Sequence, residues 1–126
     1  MGQSKRRGNM EKIPVTTRQR DLLLMPFPYS DLSASKIRPV LVMSNDTFNA
    51  FSQDVIVCCV TSNISKNLYT VLLEKNCLEE GQLFEECCVK AENIAKIEKS
   101  KAIKRIGRVN GKVFSEIRQK LYSLLT

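Results

Sequence analysis

The chain has 126 residues, 43% of them hydrophobic, with five cysteines, no histidine and no tryptophan, and it carries a formal charge of +7. That length suits one domain with a core of its own, and no apolar run reaches the roughly 20 residues of a membrane helix. A soluble, cytoplasmic protein without membrane contact is therefore expected, and the missing histidine removes the commonest general acid–base and metal ligand together.

Residues 1 to 18 hold two charge clusters and little apolar content, which predicts a mobile basic tail. The tail reads either as an arm that touches a polyanion or as an inert extension. Its first residues have the charge of a signal peptide's start, but no apolar stretch follows. From Arg20 to Met25 a short apolar run predicts a strand ending at Pro26 and Pro28. A loop rich in Pro, Ser and Asp then delivers Arg38 to the threshold of a strand spanning Pro39 to Ser44. Pro39 steers Arg38 away from helical geometry, so a cation sits on a stiff mount at a strand edge. The polar group Ser44 to Thr47 offers caps for a helical turn over Phe48 to Phe51.

Val55 to Val60 is apolar throughout and rich in β-branched residues, the pattern of a strand buried on both faces. It ends at Thr61, Ser62 and Asn63. Leu68 to Leu73 predicts a further strand, Lys75 to Phe84 a connection around Gly81, and Cys87 to Ala91 a short strand that Glu92 to Ile97 continues or follows. Lys104 to Val109 reads as the last strand. Val113, Phe114, Ile117, Leu121, Leu124 and Leu125 then recur at helical spacing, predicting an amphipathic helix from Gly111 capped by Asn110. The expected fold class is α+β: a small barrel of curved antiparallel strands with a C-terminal amphipathic helix.

Charge is unevenly placed. Residues 1–20 carry six basic side chains and one acid, Glu74 to Glu92 six acids and two lysines, and Lys96 to Lys120 nine basic residues and two acids. This polarity suits an anionic partner such as nucleic acid, although solvated surfaces produce similar runs. The adjacent pairs Cys58–Cys59 and Cys87–Cys88 match neither a disulfide framework nor a zinc site, so the cysteines are expected to be reduced core residues. Dinucleotide, P-loop and HExxH motifs are absent. Cleavage of RNA fits the remaining side chains, because the 2′-hydroxyl is an internal nucleophile and a guanidinium can hold the charge of the phosphorane.

The segment Arg20 to Asp46, with its Arg38-Pro39-Val40-Leu41-Val42-Met43-Ser44-Asn45 core, together with Asp54 to Ser62 ending in Val60-Thr61-Ser62, resembles the MazF/PemK (Kid) toxin family. Lys90 to Glu98 and Ile106-Gly107-Arg108 follow the family pattern more loosely. The resemblance implies that residues 19–126 form an SH3-like barrel and a homodimer that cuts single-stranded RNA at short sequences. It also implies that no metal or other cofactor is needed, that an antitoxin peptide silences the toxin, and that operator DNA is met only through the antitoxin complex.

Carried over by position, the resemblance makes Arg38 the phosphorane stabiliser, able to pass a proton to the leaving 5′-oxygen, and Thr61 the hydroxyl that orients the phosphate or 2′-hydroxyl. Lys90, Ala91 and Glu92 stand where the Kid branch has R-C-D, which makes Lys90 and Glu92 further catalytic candidates. Arg20, Phe27, Tyr29, Ser35, Lys36, Ser62 and Asn63 are the expected RNA contacts, with Phe27 and Tyr29 as stacking rings. Simpler readings stand beside these: an Arg38–Asp31 ion pair, Thr61 as strand terminator, a Lys90–Glu92 salt bridge, and loop packing for the two rings. Arg20 departs from the family by replacing the glycine of its R-G-D opening. Two other readings of the chain are a non-catalytic gyrase poison of the CcdB type and an RNA-binding module that does not cut. The first relies on a C-terminal Trp-Gly-Ile, whereas this chain ends Ser-Leu-Leu-Thr.

Overall fold

In the computed structural model, which describes residues 16–126, the β-branched run after Gln53 becomes an interior strand, β3 (Asp54–Thr61). Val55, Val57, Cys58 and Val60 on it are at most 1% exposed, so both of its faces are covered. Around it lie β1 (Asp21–Pro28), β2 (Ser35–Val42), α1 (Asp46–Phe51), β4 (Thr70–Leu73), β5 (Leu78–Gly81), β6 (Cys87–Glu98), β7 (Lys104–Val109) and α2 (Gly111–Leu125). A 3-10 turn, Lys99–Lys101, joins β6 to β7. The strands form one antiparallel sheet in the order β4-β6-β3-β2-β1-β7-β5. The sheet is curved but not closed, with β4 and β5 as its edges. This is the expected class of fold, curved antiparallel strands with a C-terminal helix.

Two apolar clusters sit on opposite faces of the central strands. Leu22, Leu41, Cys58, Val60, Val89 and Val109 pack with Phe114 and Ile117 of α2 on one face. Leu23, Met25, Phe27, Val40, Val42, Val55, Val57 and Cys59 pack with Ala102 on the other. α2 begins as the sequence predicts: Asn110 Oδ1 accepts the Val113 N–H at 2.9 Å, and the helix lies against β4 and β6. α1 is capped by Asn45, whose side chain accepts the Phe48 N–H at 2.8 Å.

The structure departs from the predicted elements in two places. β1 runs through both prolines instead of stopping at them. Tyr29 N–H bonds Ala34 at 2.9 Å, so by alternation positions 26 and 28 face away from β2, and pairing with β7 stops at Leu24. No donor is wanted there, which is where a strand tolerates proline. β5 arises within the acidic connection after Lys75. Its pairing with β7 brings Gly81 against Gly107, where a Cβ on either would strike the opposite backbone. Of the two readings left open for Glu92 to Ile97, the structure has the first: β6 is one strand of 12 residues carrying an irregularity. The expected tail falls mostly on residues 1–15, outside the described residues, while Arg18 N–H is held by Asp21 Oδ2 at 2.9 Å.

All five cysteines are free thiols and buried. Burial pushes the Cys58 thiol up to about 12 and the Cys87 thiol up to about 11, from an ordinary 9.0. A folded-state value raised above the unfolded one gives stability that is complete below pH 9 and is lost as pH rises through the folded value. Unfolding in urea should therefore show stability falling above about pH 9, by up to about 1.4 kcal/mol per pH unit for each thiol. Cys58→Ala should shallow that fall; a slope equal to the wild type's would show that Cys58 does not drive it.

Candidate functional site

Three strands bring Arg38, Thr61 and Lys90, three of the four sequence-predicted catalytic residues, to one face. Val40 of β2 pairs with Cys59 of β3, and Cys59 with Lys90 of β6. Arg38 and Thr61 lie two residues past the Val40–Cys59 pair, each in the same direction along the ladder. Because side chains alternate, Arg38, Thr61, Cys59 and Lys90 share a face. A further strand extends the face, since Thr70 of β4 pairs with Lys90 and Leu72 with Cys88, itself opposite Thr61. The site is thus a strip running across β2, β3, β6 and β4.

Each predicted group is held in a distinct way. Arg38 is half-buried and forms no ion pair among the described residues, so the expected Arg38–Asp31 pair is not made; Asp31 instead accepts from Ser33 N–H and Oγ–H. Thr61 Oγ1 accepts the Asn63 N–H at 3.1 Å. That bond fixes the hydroxyl oxygen and leaves the O–H proton to be donated outward. Between the pairs Cys59–Lys90 and Cys58–Ile94, three β6 residues, Ala91 to Asn93, have no partner on β3. The bulge carries Glu92 off the ladder, as bulges beside functional sites commonly do. Lys90 and Glu92 form no salt bridge with each other among the described residues.

Cys59, 4% exposed, reports the electrostatics of this strip. Burial pushes its thiol up, Arg38 and Lys90 oppose that shift, and Glu92 adds to it. Two cations and a carboxylate therefore act on one buried point. The same carboxylate adds to the rise at Cys58, where burial dominates. Cys59 itself, Cys88, Thr70 and Leu72 belong to the strip but carry no sequence signal beyond their places on paired strands. Among the described residues no group of three or more His, Cys, Asp or Glu side chains could hold a metal ion.

The expected RNA contacts divide. Ser35 and Lys36 are exposed on β2 beside Arg38, Ser62 and Asn63 are exposed at the end of β3, and Tyr29 is 44% exposed at the tip of β1. Phe27 is 2% exposed and part of the second core cluster, so its ring has no free face on which a base could stack. Arg20 lies at the other end of the β1–β2 ladder, where its N–H donates to Val42 while Arg38 pairs with Met25. Its guanidinium bonds Val109 C=O and Glu79 at 2.9 Å each.

Residues 18–125 match the family described as PemK-like, MazF-like toxin of type II toxin-antitoxin system. The chain belongs to this family. Its fold is similar to that of MazF from Deinococcus radiodurans, with a TM-score of 0.73, 23% identity, and coverage of 89% of this chain and 98% of that one. It is also similar to an endoribonuclease in complex with its cognate antitoxin from a mycobacterial species, with a TM-score of 0.71, 19% identity, and coverage of 87% and 95%. A third likeness is to the Mycobacterium tuberculosis toxin MazF-mt6, with a TM-score of 0.64, 16% identity, and coverage of 82% and 95%. Comparison with curated proteins by sequence gives no match.

Arg20, which the resemblance sets against a glycine, has an unusual backbone. Its φ is +81°, in the left-handed region that glycine enters without cost and other residues enter at roughly 1–2 kcal/mol. The bonds from the Arg20 guanidinium to Val109 and Glu79 offset part of the strain. Replacing Arg20 separates the two effects. Arg20→Ala loses the bonds and keeps the strain, whereas Arg20→Gly loses both, so the glycine variant should be the more stable of the two by about 1 kcal/mol in urea unfolding. The ordinary ranking, with alanine above glycine, would show that position 20 is not strained.

Proposed function

We propose that this toxin is a sequence-selective endoribonuclease that cuts single-stranded RNA by attack of the 2′-hydroxyl on the adjacent phosphorus, without a metal ion. The observation that carries the reading is the convergence of Arg38, Thr61 and Lys90 on one strip of the sheet, with Glu92 close enough to act on the same buried Cys59. In this reading the scissile phosphate lies over Cys59. Thr61 donates its hydroxyl proton to a non-bridging oxygen, and Arg38 offers a planar fork to the oxygens that gain charge as the phosphorane forms. Glu92 accepts the proton of the attacking 2′-hydroxyl. The bond to the 5′-oxygen then breaks, and Lys90 supplies its proton, since a guanidinium does not give one up. The products are a 2′,3′-cyclic phosphate and a 5′-hydroxyl, which balances the two proton transfers.

The same reading assigns the exposed residues around the strip. Lys36, Ser35 and Tyr29 on one side and Ser62 and Asn63 on the other line the path of the strand. The mycobacterial neighbour solved with its cognate antitoxin supports an antitoxin peptide as the natural inhibitor of this chain as well. A homodimer acting in the cytoplasm, with operator DNA met only through the antitoxin complex, completes the proposal. Neither alternative class, gyrase poison or non-cutting RNA binder, is favoured by an observation of this structure.

Incubation with a long RNA in EDTA should give fragments ending in 2′,3′-cyclic phosphate and 5′-hydroxyl. Arg38→Ala should lower the cleavage rate about 10²- to 10³-fold, the usual cost of removing one preorganised stabiliser of transition-state charge. Arg38→Lys should fall between, keeping the charge without the fork. Unchanged cleavage by Arg38→Ala, or cleavage that EDTA abolishes, would overturn the mechanism.

A further inference from the structure

The strip that carries Arg38 and Thr61 does not end at β6. Thr70 of β4 pairs with Lys90 on the side opposite Cys59, so it lies one strand spacing, about 4.8 Å, beyond Lys90 on the same face. Just before Thr70, Asn67 is exposed and its amide is fixed. Asn67 Oδ1 accepts the Tyr69 N–H at 2.9 Å and the Thr70 Oγ1–H at 2.7 Å. A backbone N–H can only donate, so the atom facing it is the oxygen and the amide has one orientation. Its NH2 therefore points away from the turn and makes no hydrogen bond among the described residues. It is a preset pair of donors at the edge of the strip.

A second feature lies beside it. Leu72 shares its face with Thr70 and with Thr61, which it meets through Cys88, and it remains 44% exposed although its neighbours Val71 and Leu73 are buried. An exposed leucine next to a polar strip offers an apolar seat for the face of a flat ring, while the fixed amide offers hydrogen bonds to the ring's edge. Bases of single-stranded RNA are read in this way, by packing on one face and hydrogen bonding along the edge.

We propose that Asn67 and Leu72 form a base-reading subsite for a nucleotide next to the cleaved bond, with Asn67 selecting a base that presents an acceptor edge, uracil or guanine. The inference rests on the endoribonuclease reading. Leu72 holds the ring, and Thr70 and the Tyr69 N–H act as positioning groups that hold the Asn67 amide. The subsite is two strands from Cys59, about 10 Å, which places the base it reads beside the scissile phosphate and not at it.

The test is a cut-site map of wild type, Asn67→Asp and Leu72→Ala on one long RNA containing all short sequence contexts. Asn67→Asp keeps an oxygen for Tyr69 N–H and Thr70 Oγ1–H, so the turn persists, but its outward atom now accepts. Preference at one position should move from uracil or guanine toward the amino-bearing cytosine or adenine, with a relative change of about 10- to 100-fold. The fragment ends should be unchanged. Leu72→Ala should weaken the preference at the same position without reversing it. Wild type that cuts while Asn67→Asp retains the wild-type ranking of sites, even at a uniformly lower rate, would overturn the subsite alone. Wild type that does not cut would overturn the endoribonuclease reading and the subsite with it.

Discussion

The antiparallel register of β2, β3 and β6 is the constraint on which the site depends. Val40, Cys59 and Lys90 are direct partners across three strands, and that alignment places Arg38 and Thr61 side by side beyond the last pair. A slip of one residue in either ladder would turn one of the site residues into the opposite core. The slip is opposed by burial. Val40 and Val42 face one cluster while Leu41 faces the other, all of them fully buried, so a shifted β2 would exchange two sets of apolar contacts and bury Arg38. With roughly 1.5–3 kcal/mol for each fully buried side chain of this size, the register is strongly specified. The bulge at Ala91 to Asn93 then adjusts a single element of the site, Glu92, without disturbing the pairs on either side of it.

The other end of the sheet is held by charge. Asp21, 1% exposed, accepts from Arg105 Nε at 3.1 Å and from the Arg18 N–H, and lies 3.8 Å from Arg108, which is also buried. Arg105 continues to Glu80 of β5 at 2.6 Å, and Arg108 reaches Gln19 C=O at 3.0 Å. Arg108 Nε has no hydrogen-bond partner among the described residues, so the cluster is incompletely satisfied. Desolvation makes such a cluster a poor source of net stability, but its geometry is demanding, and breaking it leaves a buried charge alone. It pins the first turn of β1 to β7 and β5 and so fixes which end of β1 is paired on both sides. The opposite end, with Pro26 and Pro28, lacks β7 as a neighbour and carries the loop that leads into Arg38. The anchor thus holds one end of β1, and the loop that leads to the site leaves from the other.

Much of this was legible in the sequence because the signals were periodic and local. The helix from Gly111 and its Asn110 cap, the buried strand before Thr61, and the strand from Lys104 to Val109 all carry patterns that burial enforces. The family resemblance likewise led to the matching family over residues 18–125. What the sequence hid depended on partners far along the chain. β5 reads Leu-Glu-Glu-Gly, with no strand pattern, and exists because Gly81 can approach Gly107. The prolines of β1 signal a strand end unless it is known that β7 has already left that edge. Phe27 looked like a loop ring because the same prolines flank it, whereas the continued strand turns it into the core. Thr70 and Leu72 joined the candidate strip only once β4 was seen to pair with β6 beside Lys90.

The position of Cys59 bears on how a protein without histidine can handle a phosphorane. The strip has a floor of buried thiols and valines, and burial raises the Cys59 thiol even though two cations lie close enough to oppose the rise. A neutral, apolar floor does not screen Arg38 and Lys90 as water or a carboxylate would, so their field acts on whatever anion rests above. The two cations also differ in kind. A fork at Arg38 fits the oxygens of a phosphate, while a point charge at Lys90, a poorer match to that geometry, can exchange a proton. The resemblance sets Lys90 against the arginine of the Kid-branch triplet, and the proposed mechanism leaves charge stabilisation to Arg38. In the proposed mechanism the acid–base work falls to Lys90 and to Glu92, which the bulge in β6 sets apart from the ladder.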